Sequence, residues 1–149
     1  MVIKRTGEPW MPADKFGASL SGLGMNLLVS DVSRSARFVS CVFAVSAVYQ
    51  DPDIAVISIS GGTLLLHADH TYSDHPFSAS VDGIEARGSG LEIRLYECDP
   101  DEAERQARDK GYVVLAGALD KPHGLRESYI LDPDGYCWVP SRVLVPESL

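Results

Sequence analysis

Long apolar runs are missing from this chain of 149 residues. None approaches the roughly 20 residues that a membrane-spanning helix needs, which sets a helical membrane protein aside. Basic residues are also scarce. Thirteen Lys and Arg stand against 21 Asp and Glu, a net charge of −8, and so acidic a surface repels nucleic-acid phosphates and anionic lipid headgroups alike. Neither nucleic acid nor membrane is therefore an expected partner. Cysteine is limited to Cys41, Cys98 and Cys137. An odd number at wide spacing suits reduced thiols in the cytoplasm better than a disulfide framework. The opening stretch MVIKRTGEPWMPADKFG lacks the apolar core of a secretion signal. No G-x-S-x-G elbow, phosphate-cradling glycine loop or C-x-x-C pair occurs either. What is present is a 45% hydrophobic composition with 8% aromatics, enough for one domain with a sizeable core.

Residues 1–22 read as an arm. Pro9 and Pro12 remove backbone donors and restrict the residues before them, which leaves neither helix nor central strand comfortable. Trp10, Met11 and Phe16 are nonetheless large and apolar, and they either pack on their own domain or cross to a second subunit. Residues 24–31 read as a strand ending at Asp31, an N-cap for a helix over 32–42 whose stripe is Val32, Ala36, Val39 and Val42. Strands are expected over 43–50, 54–60 and 63–67, the last two joined by a Gly61-Gly62 turn. A connector without clear period covers 69–89.

The pattern then recurs. Residues 90–96 alternate as a half-buried strand. Asp99-Pro100-Asp101-Glu102 combines an N-cap, an N1 proline and an acidic N3 residue, starting a helix that ends at Gly111. Strands over 112–118, 126–131 and 136–141 follow, the last two joined by the tight turn Asp132-Pro133-Asp134-Gly135. Asp31 thus matches Asp99, and Gly62 matches Gly135. The expected fold is α+β: two tandem βαβββ modules, about 23–68 and 90–142, forming one curved mixed sheet around a cleft with the helices outside, in a single domain over 23–149.

Two segments resemble a known family. Residues 27–38, LLVSDVSRSARF, resemble the opening of the glyoxalase/bleomycin-resistance/extradiol-dioxygenase superfamily, the vicinal oxygen chelate proteins. Residues 124–135, GLRESYILDPDG, resemble its second-module hairpin, in which a DPDG turn precedes the last strand. The resemblance covers roughly 23–142 and implies a cleft that, in catalytic members, holds a divalent metal on four side chains, one from the first and one from the last strand of each module. Seven residues before Asp31 and Asp99 those positions are Gly24 and Glu92. Four residues after Gly62 and Gly135 they are Leu66 and Val139. Only Glu92 carries a ligand atom, too few for zinc or a hard cation. The resemblance therefore implies a member that binds no metal and needs no cofactor, like the antibiotic-sequestering branches.

Strand parity sets Glu92, Arg94 and Tyr96 opposite Leu91, Ile93 and Leu95. They either line the cleft or lie on solvated sheet, where Glu92 and Arg94 pair with each other. By the same reasoning Asn26 faces the cleft from the first strand and Val139 from the last, with Leu66 at the corresponding place in the first module. Arg126 offers a planar fork to a carboxylate or phosphate, or an ion pair to Glu127 or a nearby aspartate. His67, His70 and His75 lie in HADHTYSDH, whose side chains suit a metal but whose connector setting favours a solvated loop. His123 borders the cleft as a lone acid or base. Cys137 has no histidine placed to activate it, and Trp138 is expected to pack under a helix.

The ligand-binding candidates are thus Asn26, Leu66, Glu92, Arg94, Tyr96, His123, Arg126 and Val139, with no catalytic residue assigned. The function expected is metal-independent binding of a small molecule by a homodimer, as the resemblance implies, for which Trp10, Met11 and Phe16 of the arm offer a contact surface. The alternative is a metal-dependent lyase, isomerase or dioxygenase of the same superfamily.

Overall fold

The structure, a computed structural model, describes residues 2–145. They fold as two compact units. The first runs to Ser40 and resumes over Val45–Ile84, and the second comprises Cys41–Ala44 and the residues from Glu85 onward.

The first unit contains α1 (Ala13–Ser19), β1 (Gly24–Val29), most of α2 (Val32–Phe43), β2 (Tyr49–Gln50), β3 (Ile54–Ile59), β4 (Gly62–Ala68), a single 3-10 turn at Asp69–Tyr72 and α3 (Ser78–Val81). Its sheet has the order β1-β4-β3-β2, with β1 parallel to β4 and the other pairs antiparallel. Asp31 caps α2 as its position predicts, Oδ1 accepting from the Arg34 backbone N–H at 3.0 Å. Leu27, Val29, Ala55, Ile57, Leu64 and Leu66 alternate onto one buried face, and Val32, Ala36, Phe38 and Val39 of α2 are buried too. Each Leu, Ile, Val or Phe among them, withdrawn from water, contributes roughly 1.5–3 kcal/mol.

Three expectations are corrected here. The strand expected over 43–50 is reduced to Tyr49–Gln50, because α2 continues to Phe43 and ends where Ala44 takes a φ of 57°. The arm contains α1. Pro12 restricts the residue before it, not those after, and its carbonyl accepts from the Phe16 N–H at 3.0 Å. The β3–β4 turn has its positive-φ glycine at Gly61 (φ 76°), so Gly61, not Gly62, is the counterpart of Gly135 (φ 85°).

The second unit contains β5 (Glu92–Leu95), α4 (Pro100–Asp109), β6 (Val113–Asp120), β7 (Leu125–Leu131) and β8 (Cys137–Val143), in the sheet order β5-β8-β7-β6 with β5 parallel to β8. Each unit therefore builds the same strand-helix-strand-strand-strand order with the same mixed pairing, and the architecture is the α+β pair of βαβββ modules. Asp99 caps α4, accepting from the backbone N–H groups of Asp101 at 2.9 Å and Glu102 at 3.3 Å. The small buried residues Ala103 and Ala107 let α4 lie close on β6, β7 and β8. Trp138 is buried beside Phe43, ring centroids 5.4 Å apart, and its indole N–H donates to Asp132 at 3.0 Å. The other Asp132 oxygen accepts from the Asp134 and Tyr136 N–H groups at 2.9 and 3.0 Å, so one buried carboxylate organises the DPDG turn. Gly135 is required there twice over, by its φ and because a Cβ would overlap the Glu85 carbonyl oxygen.

Candidate functional site

The polar face of the second sheet is assembled from three strands. In the parallel β5–β8 register Glu92 pairs with Cys137 and Arg94 with Val139, while Glu127 on β7 pairs with Ser141 on β8. Alternation then sets Glu92, Arg94, Glu127, Tyr129, Cys137 and Val139 on one face. At its centre is Glu127, 1% exposed. Its Oε2 accepts from Arg94 Nη2 at 2.5 Å and lies 3.3 Å from His123 Nε2, and its Oε1 accepts from the Tyr129 hydroxyl at 2.5 Å. Burial works to raise this carboxyl, but the Tyr129, Arg94 and His123 hydrogen bonds outweigh it and hold it down at about 2. Burial likewise opposes the charge on Arg94, and the Glu127 and Glu92 carboxylates reverse that and raise its affinity for the proton.

Arg94 is thus a fixed ion-pair member whose second amino group, Nη1, donates to the half-exposed Glu92 at 2.9 Å. Its guanidinium carbon lies 5.8 Å from the centre of the Tyr96 ring, a cation–π distance. Tyr96 falls in the turn past β5 and is 58% exposed. Val139 is fully buried beneath the cluster. Cys137 is no nucleophile at neutral pH, since burial, Glu92 and Asp132 all push its thiol up.

Five of the sequence candidates, Glu92, Arg94, Tyr96, His123 and Val139, therefore belong to one sheet face or its margin. Arg126 does not. It alternates onto the α4 side, where its Nε and Nη2 grip both Asp101 oxygens at 2.9 and 2.8 Å and its Nη1 reaches Asp120 at 2.9 Å. Leu66 is corrected as well. It pairs with Leu27 on the buried face, and its neighbour Leu65, paired with Asn26, holds the position that Val139 holds in the second unit. The one-residue error follows directly from taking Gly62 for Gly61. Asn26 is exposed and its amide donates to the Tyr72 hydroxyl at 3.1 Å.

The three clustered histidines diverge. His67 meets the Tyr72 ring edge-on at 5.2 Å, His70 Nε2 lies 2.9 Å from Asp53 Oδ1, and His75 Nδ1 accepts from the Phe77 N–H at 3.1 Å. Among the described residues no group of three or more His, Cys, Asp or Glu is arranged to hold a metal ion. Glu127 and Tyr129 were missed in the sequence. Their alternation in LRESYIL is visible, but nothing local says which strand they oppose.

No protein-family model and no curated protein matches the chain. Solved structures do. A glyoxalase-related enzyme from Fulvimarina pelagi is 21% identical, with 83% of this chain and 88% of that one superposed at a TM-score of 0.67. A glyoxalase/bleomycin resistance protein/dioxygenase from Nocardioides is 18% identical over 91% and 96% of the two chains, TM-score 0.63. A family enzyme of the same description from Burkholderia phytofirmans is 15% identical over 81% and 97%, TM-score 0.67. The chain has the fold of the glyoxalase/bleomycin resistance/dioxygenase proteins. Among the described residues no helix is long and apolar enough to cross a membrane.

Proposed function

We propose that the protein binds a small organic molecule without a metal ion, on the face that carries Glu92, Arg94, Tyr96 and His123, in the manner of the non-catalytic bleomycin-resistance-like branch of this fold. The observation that supports the reading is the donor set. Gly24, Leu65 and Val139 hold three of the four positions where the resemblance puts metal ligands and carry no ligating atom, and Glu92 at the fourth is engaged by Arg94. The residues do not fit a metal. On this reading Arg94 fixes the buried carboxylate and presents Glu92, while Tyr96 supplies an exposed aromatic surface with a hydroxyl. The protein is further read as a cytoplasmic homodimer.

Elemental analysis of the purified protein tests the first half, since stoichiometric zinc, iron, nickel or manganese would overturn it in favour of a metal-dependent lyase, isomerase or dioxygenase. A thermal-shift screen against antibiotics, thiol conjugates and aromatic metabolites tests the second. A ligand at a hundred times its Kd stabilises by about 2.7 kcal/mol. Tyr96→Ala and Glu92→Gln should then weaken that ligand roughly tenfold or more while leaving the melting temperature of the free protein unchanged. Unchanged affinity in both variants removes this face from the site.

A further inference from the structure

The face of the first sheet that carries Ile54, Val56 and His67 is roofed by the N-terminal segment. Two fastenings hold the roof. The Arg5 backbone N–H donates to Asp53 Oδ1 at 2.7 Å and its guanidinium to Asp51 Oδ2 at 3.2 Å. Farther along, the Trp10 indole stacks on the Tyr49 ring, centroids 5.0 Å apart and planes 7° from parallel. The Tyr49 hydroxyl donates to Asp51 at 2.6 Å, so the platform beneath Trp10 is itself pinned.

Between roof and sheet lies a pocket of about 300 Å³ walled by Trp10, Met11, Phe16, Tyr49, Val56 and His67. That volume is at the small end of ligand pockets and suits one or two rings. Three aromatic rings and a thioether offer flat, polarisable surface. Arg5 is the charged side chain in the pocket wall and is paired with Asp51 and Asp53, and burial lowers the affinity of His67 for a proton, which favours its neutral imidazole. The His67 ring makes its edge contact with Tyr72 but has no hydrogen bond or ion pair among the described residues, so its ring nitrogens remain to orient a guest.

We propose that this pocket binds a neutral, planar aromatic molecule of one or two rings bearing a hydroxyl or ring N–H, stacked on the Trp10–Tyr49 platform and hydrogen-bonded to His67. The site requires nothing from the polar face of the second unit and stands or falls separately from it.

The test is a titration of 2-naphthol into ¹⁵N-labelled protein at neutral pH. The chain has two tryptophans, Trp10 and Trp138, and the latter's indole N–H is buried against Asp132. The expected result is a saturable shift of the Trp10 indole resonance with that of Trp138 unmoved. Affinity should fall roughly tenfold or more in Trp10→Ala and in His67→Phe, and likewise for the charged analogue 2-naphthalenesulfonate. Should either variant fail to fold, the wild-type shift pattern decides alone. Non-saturable shifts, movement of Trp138 instead of Trp10, or undiminished affinity in a folded Trp10→Ala protein would overturn the site. Equal binding of the sulfonate would overturn the ligand class.

Discussion

Replacing Glu127 by glutamine tests the polar cluster most directly, because it removes a charge while keeping side-chain shape. The carboxylate is 1% exposed and takes hydrogen bonds at 2.5 Å from both Arg94 and Tyr129. Hydrogen bonds to a charged group contribute about 1.5–3 kcal/mol each, and stripping one partner from a buried ion pair costs about 3–5 kcal/mol. Arg94 keeps Glu92 as a second partner at 2.9 Å, which softens the loss. The displacement of the Glu127 carboxyl from 4.5 to about 2 corresponds to about 3 kcal/mol by linkage. We therefore expect Glu127→Gln to cost about 3 kcal/mol, a fall of roughly 6–12 °C in melting temperature for a chain of this size. The pH dependence carries the sign. Because the folded carboxyl is the stronger acid, its contribution is complete above about pH 4.5 and is lost as pH falls toward 2. Urea melts of the wild type should therefore lose stability through that window more steeply than those of the variant, and a cycle with Arg94→Gln should give a coupling of about 1 kcal/mol or more. A melting temperature within a degree of wild type, with superimposable acid limbs, would refute the cluster as a buried ion pair.

Gly135→Ala should destabilise by more than about 2 kcal/mol, since it combines a positive φ with overlap on the Glu85 carbonyl; chemical denaturation reads this, and a loss below about half a kcal/mol would contradict the turn. Asp99→Ala should cost about 1 kcal/mol through loss of its two cap bonds at α4, and Asp99→Asn much less, in the same assay. Light scattering at micromolar concentration should return about twice the 16.1 kDa chain mass if the homodimer is correct, and a single-chain mass would refute it.

Local chemistry was legible in the sequence because its causes are local. Asp31 and Asp99 cap the helices expected of them, the DPDG turn sits where Gly135 requires it, and the duplicated βαβββ order follows from those punctuation marks. Strand parity, a period-two property of the backbone, correctly set Glu92, Arg94 and Val139 on one face. Parity cannot say what lies across the sheet. The β5–β8 and β7–β8 registers together bring Glu127 to Arg94, and alternation then turns Arg126 to the helix side, while one residue of slip at Gly61 was enough to exchange Leu65 for Leu66. Likewise Trp10 and Phe16 read as apolar side chains of a proline-broken arm, while their place over Tyr49 and His67 depends on residues more than 30 positions away in sequence. Caps and turns are encoded by the residues that form them. Register and roofing depend on which distant segments pair, and that is settled only when the whole chain finds its lowest free energy.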